Sequence, residues 1–371
     1  MSTVSMRFVI ALCLIVRCLS AVAPVHANVP VKVTSASEVK VSALSNSLFT
    51  SPNPLLGFPN PLFTWGGTAD PGMLVYGSTY YAASTSGVDS AGVMPIRASS
   101  DRLNWSDYGC IFRPGKIPAW TDSSKGYWAP QIYYFSALGQ FVAYYSGLNR
   151  STGKRCIGRA TSYGLDDFTD LGRPLLCHPT AAYSIIDQSL FWDGRAQKLY
   201  LLYKNDPPTT VGTKQIVIRS IANDGLSNIG TPYHILQPTQ TWEGVSVEAP
   251  TMVYNSSDGY YYLFYSGATY SRDTYGVGAA RSTSPIGSPA GADFTKYSGN
   301  PILSGNYDPG YCGVGHQDIT WTSTEGWLIF YHAYLSQSGE DCTGGRYLMM
   351  DQLHWDNSGG WPRVHDGTPS E

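Results

Sequence analysis

Five aromatic runs recur along the chain about 60 residues apart, and this period constrains the fold more than any other feature. They are YGSTYYAAST (76–85), GQFVAYYSG (139–147), QKLYLLYKN (197–205), GYYYLFYSG (259–267) and GWLIFYHAY (326–334). Each is bounded by Gly, Asn, Asp or Ser and reads as a strand. A second run precedes each one: ADPGMLVY (69–76), WAPQIYYF (128–135), IDQSLFWD (186–193), VEAPTMVY (247–254) and GHQDITWT (315–322). A third often follows, as in IVIRSIA (216–222), YGVGAARST (275–283) and RYLMMDQLHW (346–355). No amphipathic helical pattern of ordinary length intervenes. Strand, turn, strand, turn, strand, repeated five times, predicts an all-β, five-bladed β-propeller in a single domain. Five matched units of this length fit the alternative, a β-sandwich, poorly.

The flanks read differently. Residues 1–27 carry Arg7, an apolar stretch (FVIALCLIV, 8–16) and a small-x-small site at Val25-His26-Ala27, the pattern of a secretory signal peptide. The apolar stretch is too short to span a membrane, and Arg17 interrupts it. Residues 28–54 are polar, lack the repeat and are expected to form an extended arm; 55–365 form the propeller and 366–371 a tail. A net charge of −3 argues against nucleic acid or an anionic membrane as partner. Charged residues make up only 14%, while tyrosine (27) and tryptophan (10) are abundant, which suits an extracellular β protein with a neutral, polar ligand. The expectation is a secreted monomer. Export makes disulfides expected, and close spacing suggests Cys156–Cys177 and Cys312–Cys342, with Cys110 outside both pairs. Asn104, Asn149 and Asn255 head N-glycosylation sequons, usable in a eukaryotic host.

The first strand of each propeller blade lines the central channel, so equivalent positions converge on one axis. Counting back from the second strand of each unit gives Asp70, Trp128, Asp187, Glu248 and His316. Three carboxylates, a tryptophan and a histidine are therefore expected at one end of the channel. Glu248 stands inside an apolar run, GVSVEAPTMVY, where a carboxylate is almost never found unless paired or functional. Three readings are open. The carboxylates could hold a metal, calcium by their oxygen chemistry. They could be structural, satisfied by backbone N–H groups. Or they could form the acid and base of a glycoside hydrolase. In the last case Glu248, between Val247 and Ala249-Pro250, has the more apolar setting and is expected to stay protonated. Asp70, in a tight polar turn, is expected to stay ionised, and Asp187 to hold the proton on the acid by charge repulsion.

The ordered set ADPGMLVYGSTYYAASTS, SSDRLNW, YWAPQIYYF, IDQSLFWDG, VEAPTMVYNSSDGYYYLFYSG, GVGHQDI and FYHAY, across most of 57–364, resembles glycoside hydrolase family 43. The resemblance implies a propeller that cleaves arabinose- or xylose-containing plant polysaccharides by inversion. It implies Asp70 as general base, Glu248 as general acid and Asp187 as the residue that tunes the acid. It places His316 beside a central ion, often calcium, or a water cluster, with a core histidine bonded to a carbonyl as the alternative. No cofactor is implied for the chemistry. Trp128 looks like a sugar-stacking platform, or else a filler of the channel wall. Arg346 matches an arginine that reaches the sugar or the acid, with a surface role as the alternative. The chain departs from many members in having Gln188, not proline, after Asp187. Its closing stretch, RYLMMDQLHWDNSGGWPRV, is more like arabinan-directed members. An α-L-arabinofuranosidase or arabinanase is the expectation, with a β-xylosidase and a non-catalytic sugar-binding propeller as alternatives. A fructan-directed family is excluded: Ala69 precedes Asp70, Arg-Asp-Pro is absent, and Ala249 follows Glu248.

Overall fold

The computed structural model describes residues 30–31, 58–88, 91–180, 182–227, 230–305, 310–355 and 360–370. The signal sequence expected over 1–27 and most of the arm expected over 28–54 lie outside the described residues. Of the arm, β1 (Pro30–Val31) pairs antiparallel with Phe135 and Tyr134. The rest forms five antiparallel sheets of consecutive strands, the propeller that the repeat predicts. Blade I holds β2 (Gly72–Tyr76), β3 (Thr79–Ala83), β4 (Val93–Ser99) and β5 (Ser106–Phe112). Blade II holds β6 (Tyr127–Phe135), β7 (Gln140–Asn149), β8 (Lys154–Ser162) and β9 (Thr169–Asp170). Blade III holds β10 (Ser184–Asp193), β11 (Lys198–Asp206), β12 (Gln215–Ile221) and β13 (Tyr233–Leu236). Blade IV holds β14 (Val247–Asn255), β15 (Tyr260–Gly267) and β16 (Gly276–Ser282), with β17 (Thr295–Lys296) and β18 (Leu303–Ser304) both on the outer edge of β16. Blade V holds β19 (Cys312–Thr322), β20 (Gly326–Ser338), β21 (Asp341–Trp355) and β22 (Pro362–Val364).

The core is divided among the gaps between blades. Ile132 and Phe112 pack between blades I and II, Tyr133 and Leu201 between II and III, and Leu202 and Leu263 between III and IV. Phe264 and Ile329 fill the next gap, and Met73, Phe330 and Met350 the last. Each sheet thus buries both faces, which explains near-continuous apolar runs such as LFYSG and LIFYHAY. Fully burying one such side chain contributes roughly 2 kcal/mol. Among the described residues each blade is built from consecutive strands, with none exchanged to close the ring. Instead residues 58–68 run along β21: Leu62 N–H donates to the Leu348 carbonyl and Thr68 N–H to that of Arg346. Of the segment expected as a tail over 366–371, residues 366–370 are described. Ser370 is buried, its N–H donates to Asp351 and its hydroxyl accepts from the Phe58 N–H at 2.8 Å, so this segment belongs to the closure. The disulfides are Cys156–Cys177 and Cys312–Cys342, and the Cys110 thiol is buried.

The innermost strands share a local break. Asp70, Ala129, Asp187, Ala249 and His316 all have φ between +48° and +57°. In blades II to V the ladder skips two residues there: Ala129-Pro130, Asp187-Gln188, Ala249-Pro250 and His316-Gln317. Such a bulge tolerates the two prolines, which have no N–H to give to a ladder. It also corrects the register read from the sequence. Asp70, Asp187 and His316 occupy one position of the repeat, whereas Trp128 and Glu248 occupy the position before it. The left-handed backbone costs about 1–2 kcal/mol at each non-glycine residue and persists only where packing over-determines it.

Candidate active site

All six residues singled out from the sequence, Asp70, Trp128, Asp187, Glu248, His316 and Arg346, line one cavity of about 340 Å³ at the bulged end of the channel. The bulges are held by cross-blade bonds. The Thr85 hydroxyl donates to Asp70 Oδ2 at 2.6 Å and accepts from the Ala129 N–H at 2.8 Å, joining blades I and II. Gln188 donates to the Ala129 carbonyl and accepts from the Ser146 hydroxyl, which itself accepts from the Asp187 N–H. Gln317 does the same one step on: it donates to the Ala249 carbonyl and accepts from Ser266, which accepts from the His316 N–H. Gln188 therefore leaves Asp187 anchored.

Asp70 faces one guanidinium and two imidazoles. Its Oδ1 lies 2.6 Å from Arg346 Nη1, 3.3 Å from His316 Nδ1 and 3.4 Å from His332 Nδ1. Burial opposes its ionisation, but Arg346 above all, with His316 and the Thr85 hydroxyl, outweighs burial and holds the carboxyl well below its ordinary range. The Asp70 N–H donates to His332 Nδ1, so that ring is an acceptor on this side, and burial together with Arg346 keeps it neutral. Arg346 thus binds the expected base rather than the expected acid, and its guanidinium lies 4.8 Å from the Tyr270 ring.

Ligand atoms of Asp187, Glu248 and His316 all lie within 4.8 Å of one another. Two carboxylates this close cannot both ionise freely. The expectation that Glu248 keeps the proton through its apolar flanks is corrected for the ligand-free state. Burial does raise it, but Lys204 Nζ lies 2.7 Å from Oε2 and the Tyr275 hydroxyl donates to Oε1 at 2.7 Å, and together they pull it below its usual value. Among the described residues Asp187 accepts from the Ala249 N–H at 3.3 Å, and burial with the charge of Glu248 pushes it up to about 6 against the pull of His316 and Lys204. Of the pair, Asp187 is therefore the one that takes the proton, below about pH 6. The same contacts answer the calcium question. Calcium takes six to eight oxygens, whereas Glu248 has both oxygens engaged and an ammonium at 2.7 Å, and His316 offers nitrogen. These residues do not fit a calcium cage.

Trp128 stands at the rim, 39% exposed. The Arg155 guanidinium lies 3.1 Å from its ring centroid and donates to the carbonyls of Lys125, Gly126 and Ser146. One face of the indole is thus clamped, and the ring is not buried filler of the channel wall. Tyr270 and Val245, both exposed, also line the cavity. Sequence reasoning missed Lys204, Tyr275, Thr85 and His332. Lys204 carried a usable signal, a lysine inside the apolar run YLLYKND, just as Glu248 stands inside VSVEAP.

The chain is 27% identical over 310 residues to the extracellular endo-α-(1→5)-L-arabinanase 1 of Bacillus subtilis, covering 79% of this chain and 86% of that protein. It is 28% identical over 349 residues to the arabinan endo-1,5-α-L-arabinosidase C of Emericella nidulans, covering 86% and 99%. The crystal structure of a thermostable family-43 glycoside hydrolase superposes with a TM-score of 0.72 at 27% identity, covering 84% of this chain and 97% of that one. Residues 58–362, five blades with their bulged inner strands, match the model of glycosyl hydrolases family 43, and the chain is a glycoside hydrolase of that family.

Proposed function

We propose that the protein is a secreted, inverting hydrolase of arabinose-containing plant cell-wall polysaccharide, acting on α-1,5-linked arabinan. The observation that carries the reading is the opposed setting of its carboxylates. Asp70 is held ionised by Arg346 and the Thr85 hydroxyl, while Asp187 and Glu248 lie close together and Asp187 is the member of that pair pushed up, to about 6. Carboxyl groups driven apart in this way suit a base and an acid. In the proposed mechanism Asp70 accepts the proton of a water that attacks the anomeric carbon. Glu248, more exposed than Asp187, protonates the leaving oxygen. Below about pH 6 Asp187 carries the proton of the pair in the ligand-free state and passes it on as substrate excludes water and places an oxygen beside Glu248. The clear face of Trp128 supports one sugar ring.

Arabinan is favoured because two relatives covering most of this chain bear that activity in their names. The test is hydrolysis of linear arabinan, arabinoxylan and xylo-oligosaccharides by the mature chain. Arabino-oligosaccharide release, lost in Glu248→Gln and Asp70→Asn with folding retained, is the expected result. Xylose release alone would move the assignment to a β-xylosidase. Sugar binding without turnover would make the site non-catalytic.

A further inference from the structure

Lys204 and Tyr275 hold the two oxygens of Glu248 by unlike chemistry. Lys204 is almost fully buried, and its ammonium is fixed between Glu248 Oε2 at 2.7 Å and Asp206 Oδ1 at 3.2 Å; Asp206 is held in turn by Lys214 at 3.1 Å. An ammonium has three donors and no acceptor, so a proton on Oε2 would meet another N–H. On Oε1 the neighbour is a hydroxyl, which donates in the observed state but also has lone pairs and can accept. The Tyr275 ring is buried and stacked on His332, centroids 6.0 Å apart at 10°. Gly315 is glycine because a Cβ there would meet Tyr275 Cε1 at 2.3 Å. The ring is therefore fixed while its O–H can turn.

We propose that Lys204 reserves Glu248 Oε2, so that the proton given to the leaving group is carried on Oε1 and the Tyr275 hydroxyl reverses its hydrogen bond at each turnover. This rests on Glu248 being the acid. The groups facing Glu248 are Lys204 from β11, Asp187 from β10, His316 from β19 and Tyr275 from the β15–β16 connection, with Asp70 and Arg346 beyond His316. In the step, the Oε1–H bond breaks and the proton goes to the glycosidic oxygen. That oxygen keeps the electron pair of the breaking bond to the anomeric carbon. Water supplies the new bond to that carbon, and its proton goes to Asp70. Glu248 is left ionised, its charge met at once by Lys204, while the Tyr275 O–H swings back to donate. Lys204 is a positioning residue that makes Glu248 a stronger acid, which matters most for a poorly departing sugar alkoxide.

The experiment compares kcat, KM and the pH profile of kcat/KM for the full chain and its Lys204→Met, Lys204→Arg, Tyr275→Phe and Glu248→Gln variants. Substrates are linear arabinan and nitrophenyl glycosides of arabinofuranose and arabinobiose. A general acid is worth about 10²–10⁴-fold. Lys204→Met is expected to lose about 10²-fold in kcat on arabinan but less than about tenfold on nitrophenyl substrates, whose leaving group needs little protonation. KM should hold within about twofold, and the basic limb should move to higher pH by about one unit, because a carboxyl without its ammonium keeps its proton longer. Lys204→Arg should restore the limb. Tyr275→Phe should show the same dependence on leaving group in milder form, and it keeps the test open if Lys204→Met does not fold. Equal losses on both substrate types with an unmoved limb would overturn the proposal. If Glu248→Gln itself lost both activities equally, the acid assignment would fall instead.

Discussion

Replacing Asp187 by asparagine should make the protein more stable at neutral pH while removing its activity. The buried carboxyl is pushed from 3.8 up to about 6, so above pH 6 the fold carries an ionised group that burial and Glu248 oppose. A difference of that size is worth about 3 kcal/mol, at about 1.4 kcal/mol for each pH unit. The direction follows from proton counts. Between pH 3.8 and about 6 the native state holds this proton and the unfolded chain does not, so stability falls as pH rises through that window. Asparagine does not titrate, and its side-chain oxygen can still accept from the Ala249 N–H. For about 300 ordered residues, unfolding entropy near 2 cal/mol/K per residue converts 3 kcal/mol into about 5 °C. Scanning calorimetry at pH 3.5 and 7.5 measures this. We expect Asp187→Asn to melt about 5 °C above the wild type at pH 7.5 and level with it at pH 3.5. An equal offset at both values, or a lower melting temperature at pH 7.5, would refute the assignment of the proton to Asp187.

Other perturbations follow from contacts already described or adjoining the site. Glu243, fully buried, accepts from Lys296 at 2.6 Å, from the Tyr265 hydroxyl at 2.7 Å and from the N–H groups of Thr239 and Gln240; Glu243→Ala should cost about 3–5 kcal/mol, read as a lower urea midpoint with unchanged slope. Gln188→Ala leaves the Ala129 carbonyl without its clamp, so a loss of about 1–3 kcal/mol is expected, together with a lower kcat as Asp187 loses its anchor. Trp128→Ala should raise KM on arabinan by roughly tenfold, about 1.4 kcal/mol, with a much smaller change in kcat, as steady-state kinetics will show.

The period of the fold and the end of the channel that carries the chemistry were legible because β-strands advertise themselves by alternation and by aromatic content. The bulge was not. Ala129-Pro130 and Ala249-Pro250 fit a strand pattern as ordinary residues, so Trp128 and Glu248 were aligned one place late against Asp70, Asp187 and His316. The protonation order escaped for a similar reason. Flanking residues Val247 and Ala249 suggest an apolar setting for Glu248, but its charge partner comes from β11 and its hydroxyl donor from the β15–β16 connection, neither of which is a sequence neighbour. His332 was hidden inside FYHAY, where a buried histidine reads as one more core position.

The closure of the ring has a kinetic side. Asp70 belongs to the first blade, yet it takes Arg346, 276 residues away, and His332, 262 residues away, from the last. Closing so long a loop carries a large entropic cost that must be met before those contacts contribute anything, which places them late in folding. Asp187, Glu248, Lys204 and Tyr275 all come from two adjoining blades and need no such closure. The proposed acid half of the site can therefore assemble in a ring that is still open, whereas the proposed base half exists only once the seam has shut. Recovery of hydrolysis during refolding then becomes a clock for the final join, lagging behind tyrosine and tryptophan signals that report the individual blades.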